Sequence, residues 1–511
     1  MIDYQWLKGK RILIFQQRGW GMRVGHFFAK KFQVSGCELA AVTIKRSVYE
    51  FVKKQQEVNY QLVVNYDDII ENPRKYLGDD DYTLEEICAD LGIDSIWPFV
   101  QSLRHHIRSY RDKYYYAYRQ EVPDEDIIDY VKAVYKNVKY VFAEFKPDLI
   151  VAPNIATLYH IFFNLYGLKS GVKMLRVIDS RVRGIGIVVQ DYQASQGQFF
   201  DRLQELNHGA SSNNFERAKE YIKKTREGLQ APLYSDYHKG KRKKISLIKK
   251  IRQELSPYRQ IIRYFFIKHP NRLAKFKVTI DDRSPYYILR DHYTHKRNIW
   301  SANHFDYHDF TQIKKYIYFP LQFTPEETID VFAPHFNNQL ELIRQVAMSA
   351  PTDYAVVVKE HPAMLGLRSP SYLEKIARTP NVKLINYRIP SEKIIRGADL
   401  IVNISGTTLA EAAFLKKPAI QFGNLGVTKV LPNIYYHSDF GALGKKIKEA
   451  LATNLDTPEY DRKLLNFVAA AYDTGSDADY VGIWWGQTDN RINDLWQAYV
   501  KEFKYILNLK K

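Results

Sequence analysis

The stretch from Ala355 to Asn424 constrains the fold more than any other part of the chain. It opens on an apolar β-branched run, Ala355-Val356-Val357-Val358, that breaks at Lys359-Glu360-His361-Pro362. A second apolar segment follows at Asn381 to Ile385, and a third at Asp399 to Ile404. The third turns at Ser405-Gly406-Thr407-Thr408 into a helical pattern, Leu409 to Leu415. Lys416-Lys417-Pro418 stops that helix before another strand, Ala419 to Gly423. Short apolar runs alternating with helices predict a parallel sheet covered on both faces. Ligands of such sheets sit beyond the carboxyl ends of the strands, where both polar clusters fall. The hydroxyls of Ser405, Thr407 and Thr408 and the first helical N–H groups suit phosphate oxygens, although Ser and Thr also serve as plain N-caps. Pro362 pushes His361 into an extended conformation, which aims its imidazole from the strand end into a cleft.

A chain of 511 residues is too long for one core, so about two or three domains are expected. The first strand is Lys10 to Phe15, followed by Gln16-Gln17-Arg18-Gly19-Trp20-Gly21-Met22-Arg23-Val24-Gly25-His26 and a helix from Phe27. Strand, glycine-rich turn and helix N-terminus let backbone N–H groups approach an anion, or the glycines only make a tight turn. The spacing is not the dinucleotide fingerprint, which excludes a nicotinamide site. Leu39 to Ile44 closes a βαβ unit. From Val48 to Phe145 the chain reads as mostly helical. Asp79-Asp80-Asp81 precedes Thr83-Leu84-Glu85-Glu86, so it reads as a solvated helix start rather than a metal motif. Two buried strands, Lys146 to Asn154 and Lys173 to Arg181, place Asn154, Asp179, Ser180 and Arg181 at the same edge as the glycine turn. Leu149 to Leu168 is long enough to span a bilayer but contains Pro153, Asn154, His160 and Asn164, and reads as strand, turn and helix.

Composition adds one decisive feature. The net charge is +18, and Lys239 to Lys277 holds fourteen bases against one acid, Glu254, which accounts for +13 of it. Ile245, Leu247, Ile248, Ile251 and Ile261 to Ile267 interleave with these bases, as in a helix lying on an anionic membrane surface. A solvated helical face is the plain alternative. Nucleic acid is disfavoured, because no helix-turn-helix, zinc or RNA-recognition signature accompanies the patch. Cys37 and Cys88 offer neither a disulfide framework nor metal spacing, and no signal peptide precedes Lys10, so a cytoplasmic protein held peripherally at the inner face of the cell membrane is expected. The expected domains are 1–200, an α/β unit with a helical insertion at about 48–145; 201–314, a basic helical connection; and 315–511, a second α/β unit with terminal helices.

Phe319-Pro320-Leu321-Gln322, the Lys359 to Pro362 tetrad, and Ile404 to Thr408 through Glu411-Ala412-Ala413 to Lys417-Pro418 and Phe422-Gly423 resemble bacterial capsular and surface polysaccharide glycosyltransferases. The nearest group is the capsule Kdo transferases, with bacterial sialyltransferases as more distant relatives carrying a similar His-Pro motif. The resemblance spans about Tyr316 to Asn424, and more thinly Asp148 to Arg181. It implies a GT-B fold: two Rossmann-like parallel-sheet domains facing across a cleft, with the donor nucleotide on the second and the acceptor mostly on the first. By that resemblance His361 binds the donor phosphate, Ser405, Gly406, Thr407 and Thr408 form the phosphate turn, and Glu411 reaches a ribose hydroxyl. Lys359 and Glu360 flank the donor, and the loop Tyr387 to Ser391 lies against the base. Gly19, Gly21, Asn154 and Arg181 are the acceptor-side candidates.

The family's acidic base motif, Asp/Glu-Asp/Glu-Gly, is missing from a credible strand end here. Deprotonating an acceptor hydroxyl needs a carboxylate or imidazole, which leaves His26 and Asp179 as candidates. Lys359, His361 and the helix N-terminus at Thr408 supply positive charge to the leaving group, so no obligatory metal is expected. The expected donor is a nucleotide sugar, CMP-linked Kdo or another nonulosonate ahead of a UDP-sugar, and the expected acceptor a surface glycan or glycolipid. Two other readings compete: a UDP-N-acetylhexosamine 2-epimerase of the same fold, and a non-enzymatic scaffold whose basic arm binds membrane or nucleic acid.

Overall fold

The computed structural model describes residues 4–103, 123–229, 247–266 and 284–509. The first sheet contains β1 (Arg11–Gln17), β2 (Glu38–Ile44), β3 (Leu62–Asn65), β4 (Leu149–Val151), β5 (Lys173–Asp179) and β6 (Gly186–Val189), in the order β3-β2-β1-β4-β5-β6. All pairs are parallel except β5–β6, an antiparallel hairpin. The second contains β7 (Tyr316–Pro320), β8 (Ala355–Lys359), β9 (Val382–Ile385), β10 (Leu400–Asn403), β11 (Ala419–Gln421) and β12 (Ile434–Tyr436), all parallel, in the order β12-β11-β10-β7-β8-β9. Each sheet is therefore doubly wound in the same sense, with a switch point between β1 and β4 or between β7 and β10, where ligands of such sheets bind. Two such domains form the expected GT-B-like α/β architecture.

Period-two alternation explains why the strands read as continuous apolar runs. In β1, Leu13 and Phe15 enter one core while Ile12 and Ile14 enter the other. In β8, Val356 and Val358 pack on one side and Val357 on the other. Three strands lie outside the expected set. Leu62-Val63-Val64-Asn65 forms edge strand β3 within a stretch expected to be mostly helical, and β6 and β12 are equally short. Runs of three or four residues carry too little periodicity to separate strand from helix, and only pairing with a neighbour decides them. Leu149 to Leu168 is strand Leu149–Val151 and helix Leu158–Lys169, and among the described residues no helix is long and apolar enough to cross a membrane. The Leu84–Leu91 helix starts with a capping box between Thr83 and Glu86, while Asp80 and Asp81 pair with Lys136 and Lys132.

The terminal helices correct the expected 315–511 unit. The Ile492–Leu509 helix packs on the first sheet, not the second: its fully buried Trp496 meets Phe32 at 4.6 Å and Phe28 at 5.5 Å between ring centroids. Tyr499 accepts a hydrogen bond from the backbone N–H of Val177 at 3.0 Å. The Pro458–Thr474 helix joins the same domain through Phe467 against Phe199 and the Asn466 amide on the Leu206 carbonyl. The chain thus crosses back after β12. Of the basic connection, the Phe215–Glu227 helix bridges the domains through Arg226, which bonds the Phe414 carbonyl and Asp461. Much of the Lys239 to Lys277 segment lies outside the described residues, which retain 247–266 of it.

Candidate active site

The carboxyl ends of β5 and β10 meet at one cleft between the domains. At the end of β8, Lys359 is buried and donates to the Ile389 carbonyl at 3.0 Å and the Ser391 hydroxyl at 2.6 Å. That contact ties the Tyr387 to Ser391 loop to the strand, while Tyr387 and Arg388 both donate to the Asn303 side chain. Burial pushes the Lys359 ammonium down to about 8. His361 is extended, as Pro362 requires, and caps the Pro362–Met364 turn. Its Nδ1 accepts the Ala363 N–H at 3.2 Å, so a neutral ring carries its proton on Nε2 and offers it outward as a donor. Burial, with Arg368 and Lys359 nearby, lowers its pKa to about 4, so the ring is neutral at pH 7.

Glu360, expected with the donor-binding residues, turns inward instead. It is fully buried and paired with Arg368, which also donates to the Gln322 carbonyl at 2.6 Å. The Glu360 carboxylate, one residue past β8, also accepts the His361 N–H at 2.6 Å, which holds it beside Arg368.

Beyond β10, the turn has an inner and an outer half. Ser405 is buried and donates its hydroxyl to the Thr328 carbonyl, and the Gly406 N–H reaches Asn403 Oδ1 at 3.3 Å. With its amide carbonyl facing the turn, Gln322 accepts from the N–H groups of Ser405 and Gly406 at 3.2 and 3.0 Å. Ser405 and Gly406 are therefore struts rather than free ligands. Thr407 and Thr408, half-buried at the start of the Thr408–Phe414 helix, form the outer half. Glu411 follows one turn later, and burial pushes its carboxyl up to about 7 against the pull of Lys359 and Arg181.

The first domain meets this turn with Asp179, the last residue of β5, and Arg181 just beyond it. Asp179, Arg181, Arg183, Thr407 and Glu411 line one cavity between the domains. The Asp179 carboxylate accepts the Arg181 N–H at 2.7 Å, an Asx-type turn that holds Arg181 in the left-handed region at φ 71°. The Arg181 Nε is buried and without a hydrogen-bond partner. Arg183 and Tyr221, absent from the expected set, join through the Arg183 N–H donating to the Tyr221 hydroxyl at 2.8 Å. Arg183 follows Arg181 in sequence and was legible as part of the same strand end, whereas Tyr221 lies on a distant helix. A further cross-domain pair, buried Arg176 with Glu327, packs beside Phe332.

The remaining candidates fall elsewhere. His26 does not line that cavity; its Nε2 contacts Glu57 at 2.7 Å and its ring meets Phe51, where Lys30 and His26 hold the Glu57 carboxyl down at about 2. The glycine turn is not an open loop. Helical backbone begins at Arg18 and passes through a π-helical turn at Gly21–Gly25 into the His26–Val34 helix, so Gly19 and Gly21 are helical. Gly21 is needed because a Cβ there would lie 2.7 Å from the Gln16 carbonyl carbon. Asn154 stands beyond β4, half-buried, with Oδ1 shielded and unpartnered. Among the described residues no three His, Cys, Asp or Glu side chains cluster as a metal site.

Residues 220–426 match the model of a family described as capsule polysaccharide biosynthesis protein. No curated protein matches the chain. Among solved structures, the β-Kdo 2,7-transferase of KpsC from Thermosulfurimonas dismutans is 14% identical, over 69% of this chain and 88% of that one, with a TM-score of 0.33. The calicheamicin glycosyltransferase CalG4 is 13% identical over 94% and 99%, with a TM-score of 0.25. The UDP-GlcNAc 2-epimerase of Methanocaldococcus jannaschii, solved with UDP-GlcNAc and UDP, is 11% identical over 87% and 93%, with a TM-score of 0.26. At these values the structural likenesses carry nothing about chemistry. The fold is that of an α/β protein of GT-B type, and its central part, residues 220–426, is similar to the capsule polysaccharide biosynthesis family.

Proposed function

We propose that this chain is a glycosyltransferase of capsule or surface polysaccharide synthesis, moving a sugar from a nucleotide donor to a glycan or lipid-linked acceptor at the inner face of the cell membrane. The observation that carries the reading is the meeting of Asp179 and Arg181 from the first domain with Thr407 and Glu411 from the second in one cavity. The donor phosphate lies against the Nε2–H of His361 and the hydroxyls and N–H groups of Thr407 and Thr408, with Glu411 on a ribose hydroxyl. As the sugar–phosphate bond breaks, the leaving phosphate gains negative charge, which these donors stabilise directly and the buried Lys359 charge stabilises from behind the strand end. Asp179 takes the proton of the attacking acceptor hydroxyl. A CMP-linked nonulosonate suits the site, because the donor sugar then carries a carboxylate for the Arg181 guanidinium, whose buried Nε has no hydrogen-bond partner while its Nη1 lies 3.8 Å from Asp179. A UDP-sugar is the alternative donor.

A thermal-shift series with CMP, CDP, UDP, GDP and ADP, repeated on His361→Ala, tests this. A ligand at about a hundred times its dissociation constant adds roughly 2.7 kcal/mol of stability. CMP is expected to stabilise the chain and to lose that effect in the variant. Stabilisation by UDP alone, with turnover of UDP-GlcNAc, would replace the reading by an epimerase; no shift with any nucleotide would remove it. Transfer is expected to survive EDTA, since Lys359 and His361 supply the charge a divalent ion would bring; loss restored by magnesium would overturn that point.

A further inference from the structure

The surface helices between the two domains form a second constellation. The Leu247–Glu254 helix runs through Leu255 into the Ser256–Phe266 helix, and the backbone bonds Leu255 N–H to Ile251 and Arg259 N–H to Leu255 carry it across Pro257. Ile248, Ile251, Leu255, Tyr258, Ile262 and Phe265 recur at spacings of three and four along it. At about 3.6 residues per turn they occupy one arc of roughly 100°. All six are 43–78% exposed. Arg252, Arg259 and Arg263, also exposed, border that arc on one side. On the other side the helix packs on the Pro285–Asn303 helix, through buried Pro257 and the pair Glu254–Lys296.

That supporting helix carries its own row. Tyr286, Tyr293 and Trp300 recur every seven residues and are 54–68% exposed, opposite its buried Ile288, Asn298 and Ala302. The two rows join where the Tyr258 and Tyr293 hydroxyls hydrogen-bond at 2.7 Å. Six apolar side chains held in water by two ordered helices cost stability unless something covers them. A protein partner would be expected to offer acids to the adjacent arginines. The combination here, an aliphatic ridge, an arginine border and an aromatic row with polar tips, matches a bilayer interface term by term: acyl chains, anionic headgroups and the headgroup boundary.

We infer that this helical pair is a membrane-docking ridge, with Ile248 to Phe265 inserted in the headgroup–acyl boundary of an anionic leaflet and Trp300 lying at its level. It gives the membrane placement proposed above its contact residues and rests on that reading only for the identity of the acceptor. The Pro285–Asn303 helix ends at Asn303, which holds the Tyr387 to Ser391 loop, so the docked ridge is tied directly to the donor site.

Flotation of the full chain with vesicles tests the ridge, using phosphatidylcholine alone or with phosphatidylglycerol as about a third of the lipid. The chain is expected to float with the anionic vesicles only. Ile251→Ser/Ile262→Ser/Phe265→Ser is expected to weaken binding at least tenfold with every base in place, and Arg252→Gln/Arg259→Gln to weaken it severalfold. Brominated lipid is expected to quench tryptophan emission in the wild type and less in Trp300→Phe. Unchanged binding of the serine variant would overturn the insertion. So would a lipid-free dimer, seen by sedimentation, that the serine variant abolishes, or competition of RNA for the vesicles with the serine variant unaffected. The CMP thermal shift, measured on the same variants, separates the outcomes: retained shift with lost flotation isolates the ridge, and lost shift with retained flotation isolates the donor reading.

Discussion

Glu411 sits in an environment far from water, and it supplies a pH signature for the site. Its carboxyl sits at about 7 in the folded chain against an ordinary value of 4.5. Between those values the folded state holds a proton that the unfolded state releases, so this group's contribution to stability falls as pH rises through that window. Glu411→Gln removes the loss. The unfolding free energy of the glutamine variant is therefore expected to gain on the wild type from pH 5 to pH 8, by an amount bounded at about 3 kcal/mol, read by denaturant unfolding at each pH. A constant difference across that range would show that Glu411 ionises freely. His361 works the other way: lowered to about 4 from an ordinary 6.5, it adds stability as pH climbs between those values. Because both proteins carry His361, the comparison cancels it.

At the scale of elements, the donor turn depends on backbone contacts that tolerate no side chain. A Cβ on Gly406 would lie 2.9 Å from Asn403 Nδ2 and 3.0 Å from the Gln322 amide oxygen, the two amides that brace the turn. Gly406→Ala is expected to displace those braces, with overpacking of roughly 1–3 kcal/mol and a clear loss of nucleotide-induced stabilisation. Isothermal titration against CMP checks it, and full affinity in the variant would exclude the turn as the phosphate site. This turn was legible from Ser405-Gly406-Thr407-Thr408 alone, because strand, small residues and helix follow one another in the chain. Its division into struts and free hydroxyls was not, since Gln322 comes from beyond β7 and Thr328 from the short Glu327–Asp330 helix. Likewise the glycines at 19 and 21 read as a loop because glycine favours loops, yet here both are helical, and Gly21 serves close helix–strand packing against Gln16.

For the whole molecule, the cross-domain pair Arg176–Glu327 is a contact sensitive to change. Arg176 is fully buried, and burial raises the Glu327 carboxyl above its ordinary range despite that partner. Glu327→Leu strands the guanidinium and is expected to cost about 3–5 kcal/mol in denaturant unfolding. Adding Arg176→Met is expected to recover most of it, because the desolvation penalty of both charges then disappears. If the double variant is no more stable than the single, the pair does more than balance its own burial. The returning terminal helix belongs to this scale too. Trp496 lies far from Phe28 and Phe32 in the chain but completes the core under β1, and nothing local in residues 492–509 says which sheet it will cover.

The amino-acid sequence by itself determined the α/β class, nearly every central strand, the carboxyl-edge position of Lys359 to Pro362 and Ser405 to Thr408, and the local character of the basic charge. These follow from short-range physics: the period of apolar residues, proline and glycine backbone limits, and helix capping. Tertiary structure decided which candidates meet. It joined Asp179 and Arg181 to Thr407 and Glu411, sent Glu360 to Arg368 and His26 to Glu57, returned the last helices to the first domain, and lined Tyr286, Tyr293 and Trp300 beside the Ile248 to Phe265 ridge. Each of those outcomes depends on a partner far away in sequence, and only packing of the whole chain selects that partner.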